Sequence, residues 1–162
     1  MSHANRGQAL EDLLAWQHNL YESRRVAWVR KFPTPVTIIR RDGEIVGARP
    51  TGYAVADFMG WLYTGGRAMA VEAKECGGDR FDLARIQPQQ RDCLSACLDA
   101  GGVAAVVVWW TDHDERWVIP WATVRGSIAV GTRSLHWVQE STFRIHGGTG
   151  PADYLTALGV VA

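Results

Sequence analysis

The run VAAVVVWW, residues 103–110, limits the folds open to this chain more than any other stretch. It is rich in β-branched side chains and lies between Gly101-Gly102 and the polar TDHDE. A strand with one face in water alternates polar and apolar residues, and this one does not. It therefore reads as a central strand covered on both faces, so helices must supply layers above and below the sheet. Two stretches can do so. NRGQALEDLLAWQHNLYE (5–22) has helical spacing, with Asn5 as N-cap and Leu10, Leu13, Leu14 and Tyr21 as its apolar stripe. PQQRDCLSACLDA (88–100) opens on Pro88 and stops at Gly101-Gly102. Strands are expected at 26–32, 35–41, 53–63, 67–75 and from Arg116, with a short helix after Pro151. The expected fold is α/β: a central mixed β-sheet flanked by helices. The 162 residues suffice for one domain, 1–162, with a short basic excursion at about 40–52 and a less regular extension over 111–162.

No run of 18 apolar residues offers a membrane span, and the opening MSHANRGQALED has no signal-peptide apolar segment, so cytoplasmic residence is expected. Cys76, Cys93 and Cys97 form no CxxC and are expected to be reduced thiols. The five histidines have no zinc-ligand spacing. Net charge is zero, but residues 24–49 hold seven cations (Arg24, Arg25, Arg30, Lys31, Arg40, Arg41, Arg49) against Asp42 and Glu44, a net +5. Such a segment on a neutral protein suits phosphate contacts; a solvated basic edge is the competing reading.

The stretch AVEAKE (70–75) carries the chemistry. On a strand, Glu72 and Lys74 leave the same face beside Ala70, while Met69, Val71 and Ala73 point the other way. A surface Glu–Lys pair is the bland explanation. The preceding strand argues against it. If Thr64-Gly65 is the hairpin loop, Asp57 falls opposite Glu72; if Gly65-Gly66 is the loop, Asp57 faces Lys74. Either register gathers Asp57, Glu72 and Lys74 on one face. Two close carboxylates repel unless a divalent cation lies between them, and a neighbouring lysine can orient or deprotonate a water there. That arrangement suits phosphodiester hydrolysis. Gln90, on the apolar side of the second helix, needs hydrogen-bond partners: Lys74, a metal-bound water or a phosphate, or the backbone of a packed core. Glu11 lies one turn into the first helix, at the border of its stripe.

Asp57 followed by Glu72-Ala73-Lys74 resembles the PD-(D/E)xK nuclease superfamily. With Asn5-Arg6-Gly7 and Glu11, the segment Lys31-Phe32-Pro33-Thr34-Pro35-Val36, Glu75 and Gln90, the chain is similar to the RecU family of Holliday junction resolvases over roughly residues 5–110. The resemblance implies a restriction-endonuclease-like core and a homodimer cutting four-way junction DNA with Mg²⁺ or Mn²⁺. It implies Asp57, Glu72 and the Ala73 carbonyl as metal ligands, Lys74 as the catalytic lysine, and Glu11 and Gln90 as further members of the catalytic set. The excursion would be a stalk entering the junction. DNA contacts are expected at Arg6, Arg24, Arg25, Lys31, Thr34, Arg40, Arg41 and Arg49. Ala56 stands where many relatives carry a hydroxyl. The C-terminal third, with Trp117, Trp121 and Trp137, finds no match and is expected to add a strand, a helix and dimer contacts. Three alternatives remain at this level: a junction-binding protein without catalysis, a general or flap nuclease of the same superfamily, and a dimeric scaffold with no DNA role.

Overall fold

The computed structural model describes residues 7–33, 35–50, 55–146, 148 and 150–161. Asn5, Arg6 and Thr34 lie outside the described residues. Helix α1 (Gln8–Ser23) buries Leu10, Leu14 and Tyr21, and Leu13 packs at the border of the same core. Strands β1 (Ala27–Lys31), β4 (Phe58–Leu62), β5 (Ala68–Cys76), β7 (Val103–Trp110) and β8 (Glu115–Pro120) form one sheet in the order β1-β4-β5-β7-β8. Only β5 and β7 run parallel, joined through helix α2 (Pro88–Asp99); the other pairs are antiparallel. The expected mixed sheet flanked by helices is therefore present.

The run 103–110 lies where its composition requires. Val103, Ala105 and Val107 face one core with Leu10, Leu14, Phe58 and Val71. Ala104, Val106, Val108 and Trp110 face a second core with Ala70, Leu94 and Trp121. Helix α1 covers the first side; α2 and helix α3 (Trp121–Ala129) cover the second. The period of two along β5 and β7 sends alternate residues into different cores.

A polar network ties the end of the chain to α1. The Tyr21 hydroxyl donates to Asp153 Oδ1 (2.8 Å) and accepts from the Leu155 amide (3.1 Å). His18 Nε2 lies 2.9 Å from the Tyr154 hydroxyl, and burial pushes the His18 imidazole down to about 3. Helix α4 (Tyr154–Ala157) is thereby held against α1 from behind, which fixes the helix that carries Glu11.

One expectation needs correction. The strand at 35–41 is not part of the sheet. β2 (Val36–Arg41) and β3 (Glu44–Pro50) form a separate two-stranded ribbon, so the excursion begins at Val36 rather than near 40. Its turn is Asp42-Gly43, both left-handed (φ 52° and 86°), as a tight hairpin turn requires. A register shift between Ile39 and Arg40 bends the ribbon. In the C-terminal third, Trp117 and Trp121 are 3% and 1% exposed and belong to the second core. Trp137 is half-buried, stacked on His113 at 3.7 Å, and donates to Glu115 Oε2 (2.9 Å). β9 (Ser134–His136) pairs with the short strand β6 (Arg80–Asp82), and the three cysteines are free thiols.

Candidate active site

The β4–β5 register pairs Phe58 with Val71 and Met59 with Ala70, the register of the Thr64-Gly65 alternative. The turn itself covers Tyr63–Gly66, with Gly65 and Gly66 both left-handed. One step beyond the last pair, Asp57 meets Glu72. The Asp57 amide donates to Glu72 Oε2 (3.3 Å), and Asp57 Oδ2 accepts from the Ala73 amide (2.9 Å). The Phe32 amide donates to the Asp57 carbonyl (2.7 Å), which closes the neck where the ribbon leaves and rejoins the sheet.

Glu72 is fully buried, which removes the surface-pair explanation. Its carboxylate is paired with Lys74 Nζ, and Oε1 also accepts from Gln90 Nε2 (2.6 Å). Gln90 Oε1 in turn accepts from the Gln87 amide at the start of α2 (2.9 Å). The buried amide thus has partners on both ends, one backbone and one carboxylate. Burial pushes the Glu72 carboxyl up to about 8; Lys74 pulls it down and Asp57 pushes it further up. Close carboxylates in a desolvated setting hold a proton in place of a cation.

Asp57, Ala73 and Lys74 line a cleft of about 770 Å³ with Glu11, Glu75 and Arg85, and Glu72 and Gln90 lie buried behind it. Glu11 reaches it from the first turn of α1 and pairs with Lys31. Glu75 Oε1 accepts from the Leu10 amide (3.2 Å), satisfying a free N–H at the start of α1 in place of a side-chain cap from Gly7. Among the described residues no three His, Cys, Asp or Glu side chains converge as a ready metal cluster. The donors at hand are Asp57 and Glu72, with Glu11 across the cleft. Two hard oxygen donors fit a hard dication with water completing its shell, and Glu72 would have to give up its proton as the ion binds. The Ala73 N–H is engaged by Asp57.

The expected DNA-binding residues divide among several places. Lys31 ends β1 beside the site, but its ammonium is spent on Glu11. Arg24 and Arg25 lie at the far end of α1, roughly 20 Å from Glu11 at helical rise. Arg25 covers the Tyr63 ring at 5.0 Å. Arg40, Arg41 and Arg49 are exposed on the ribbon, with Arg41 opposite Glu44 and Arg49 opposite Thr37. Glu75 and Arg85 were not marked as site residues by the sequence. Glu75 follows the motif directly; Arg85 reaches the cleft only through tertiary folding.

The family model described as Recombination protein U matches residues 5–158. The chain belongs to the RecU family. The match extends through the C-terminal third, which the resemblance over 5–110 had left out. The Holliday junction resolvase RecU of Leuconostoc mesenteroides is 28% identical, over 94% of this chain and 80% of that protein. Its counterpart from Leuconostoc citreum is 27% identical, over 98% and 82%. Among solved structures, Hjc, a Holliday junction resolvase from Archaeoglobus fulgidus, aligns with a TM-score of 0.38 and 11% identity, over 68% of this chain and 74% of that one. Among the described residues no helix is long and apolar enough to cross a membrane.

Proposed function

We propose that this RecU-family chain is a metal-dependent endonuclease that resolves four-way DNA junctions, with Asp57, Glu72 and Lys74 at the reacting phosphate. The supporting observation is the buried Glu72 carboxyl. It lies against Asp57 and is held by Lys74 and Gln90, directly behind an open cleft that Asp57, Ala73 and Lys74 line. A carboxyl pushed to about 8 with a second carboxylate beside it is a poor structural investment. It is a good place for Mg²⁺ or Mn²⁺, which would neutralise both acids, polarise the phosphate and lower the pKa of water. Asp57 and Glu72 would hold the ion, with the Ala73 carbonyl and Glu11 as further oxygen donors. Gln90 positions Glu72: it fixes which oxygen turns towards Lys74. Lys74 presents its N–H donors at the cleft wall, where an attacking water or a phosphate oxygen would be oriented. Attack on phosphorus expels the 3′ oxygen and leaves a 5′-phosphate.

The ribbon supplies the reading of junction selectivity. It rises from the neck beside Asp57 and carries Arg40, Arg41 and Arg49 for phosphates. Val36, Ile38, Ile39, Ile45 and Val46 are each about half exposed on it. An isolated two-stranded ribbon is marginal, and such an apolar surface calls for a partner. A second copy of the chain fits, which would pair two active sites for two strands of one junction. The test of selectivity is competition: labelled immobile junction nicked by the protein with Mg²⁺, challenged by unlabelled junction, linear duplex or flap. The reading predicts that only unlabelled junction suppresses nicking at near-equimolar amounts. Equal suppression by duplex or flap would make the protein a general nuclease.

A further inference from the structure

We propose that Arg85 is a phosphate clamp: its guanidinium binds the backbone phosphate next to the scissile one in the strand being cut. The proposal rests on the nuclease reading of the cleft and adds a residue to it. Arg85 closes a 3-10 turn, Leu83–Arg85, that is fixed on both sides. Leu83 and Ile86 are anchored in the second core, at 2% and 0% exposure. Asp82 Oδ1 accepts from the Ala84 amide (2.9 Å). Arg91 bonds the Leu83 carbonyl (2.7 Å) and the Ile86 carbonyl (2.8 Å). From this base the Arg85 side chain runs over the Phe81 ring (5.3 Å) and donates through Nη2 to the Glu75 carbonyl (2.7 Å).

That carbonyl and the neighbouring Cys76 thiol take two of its five N–H donors, and the residue is otherwise exposed at the cleft. The two lysines beside the cleft are paired, Lys74 with Glu72 and Lys31 with Glu11. Among the described residues no carboxylate forms an ion pair with Arg85. A preoriented guanidinium with free donors in an acidic cleft is a bidentate receptor for a phosphate. Its anchor, Glu75, lies three residues along β5 from Glu72, roughly 10 Å at strand rise. This offset along the strand favours a neighbouring phosphate over the one at Glu72.

The test uses full-length protein and immobile junctions that each carry one neutral methylphosphonate, stepped across the phosphates flanking the branch point. Affinity is measured with Ca²⁺ in place of Mg²⁺ and again in EDTA, for wild type, Arg85→Gln and Arg85→Lys. At one position the methylphosphonate is expected to weaken wild-type binding roughly tenfold to a hundredfold. Arg85→Gln should weaken binding of the unmodified junction similarly, and that methylphosphonate should then cost nothing more. Arg85→Lys should recover part of the loss. Thermal unfolding of each variant separates this from loosening of the turn, which would weaken binding without cancelling any methylphosphonate effect. Additive losses at every position, or wild-type affinity in Arg85→Gln, overturn the clamp while leaving the nuclease reading intact. A wild-type protein that binds no junction overturns both.

Discussion

Glu72 makes the metal-free protein less stable as pH rises through neutrality. In the folded chain its carboxyl is pushed up to about 8, from an ordinary value of 4.5. Between those values the folded state holds a proton that the unfolded state has released, so stability falls with rising pH and levels off above about 8. His18 works the other way. Its imidazole, ordinarily 6.5, is pushed down to about 3, so its contribution is intact above 6.5 and is lost as pH falls below that. The two oppose each other between 4.5 and 6.5, which leaves 6.5 to 8 as the window in which Glu72 acts alone of the two. Over that window one proton with a folded pKa near 8 costs about 1.6 kcal/mol. For a chain of this size that is a fall in Tm of roughly 3–6 °C. The assay is thermal unfolding in EDTA at half-unit pH steps for wild type and Glu72→Gln. Wild type should lose those degrees relative to the variant between pH 6.5 and 8. Added Mg²⁺ should remove most of the slope by favouring the ionised carboxylate. Parallel wild-type and Glu72→Gln curves would refute the claim that burial of this carboxyl sets up the site.

Three further outcomes are expected. Gln90→Ala leaves Glu72 without its 2.6 Å donor and should lower the Mg²⁺-dependent nicking rate about 10- to 100-fold with little change in junction affinity; equal loss of both would mean that Gln90 supports binding instead. The double substitution Arg40→Ala/Arg41→Ala should reduce the salt slope of junction binding by about 2, read from affinities at several salt concentrations, and an unchanged slope removes the ribbon from the phosphate contacts. Ile38→Glu with Ile45→Glu, both on the exposed ribbon, should shift the protein from dimer to monomer in light scattering without lowering its Tm by more than a few degrees; a wild-type monomer contradicts the ribbon-mediated dimer.

The site was legible in the sequence where local rules decide it. A two-residue periodicity and an even-length turn sufficed to put Asp57 on the face of Glu72 and Lys74; which of the two it meets followed only from the observed register. The unbroken apolar run at 103–110 announced a strand with two cores. Periodicity tells which face a residue leaves but not what lies on that face, so the complete burial of Glu72 beneath α2 was not readable, nor was Gln90 as its donor. The basic segment shows the limit of linear charge counting. Its seven cations separate into the far end of α1, a Glu11-bound lysine and the ribbon, while Arg30 pairs with Glu22 at 2.5 Å. PVTIIRR reads as a strand, but nothing in its pattern says that it leaves the sheet. The ribbon exposes its aliphatic side chains, and a single chain shows no reason for that. Glu75 and Arg85 depend on contacts between distant turns, which no spacing rule encodes.

The most direct test of the account is strand cleavage of an end-labelled immobile four-way junction by wild type and Asp57→Asn, in Mg²⁺ and in EDTA. Paired, symmetric nicks near the branch point, present only with both the metal and Asp57, are the predicted result. Junction binding without cleavage in either Mg²⁺ or Mn²⁺, or nicking that persists in Asp57→Asn, would contradict the assignment of this cleft as the catalytic centre.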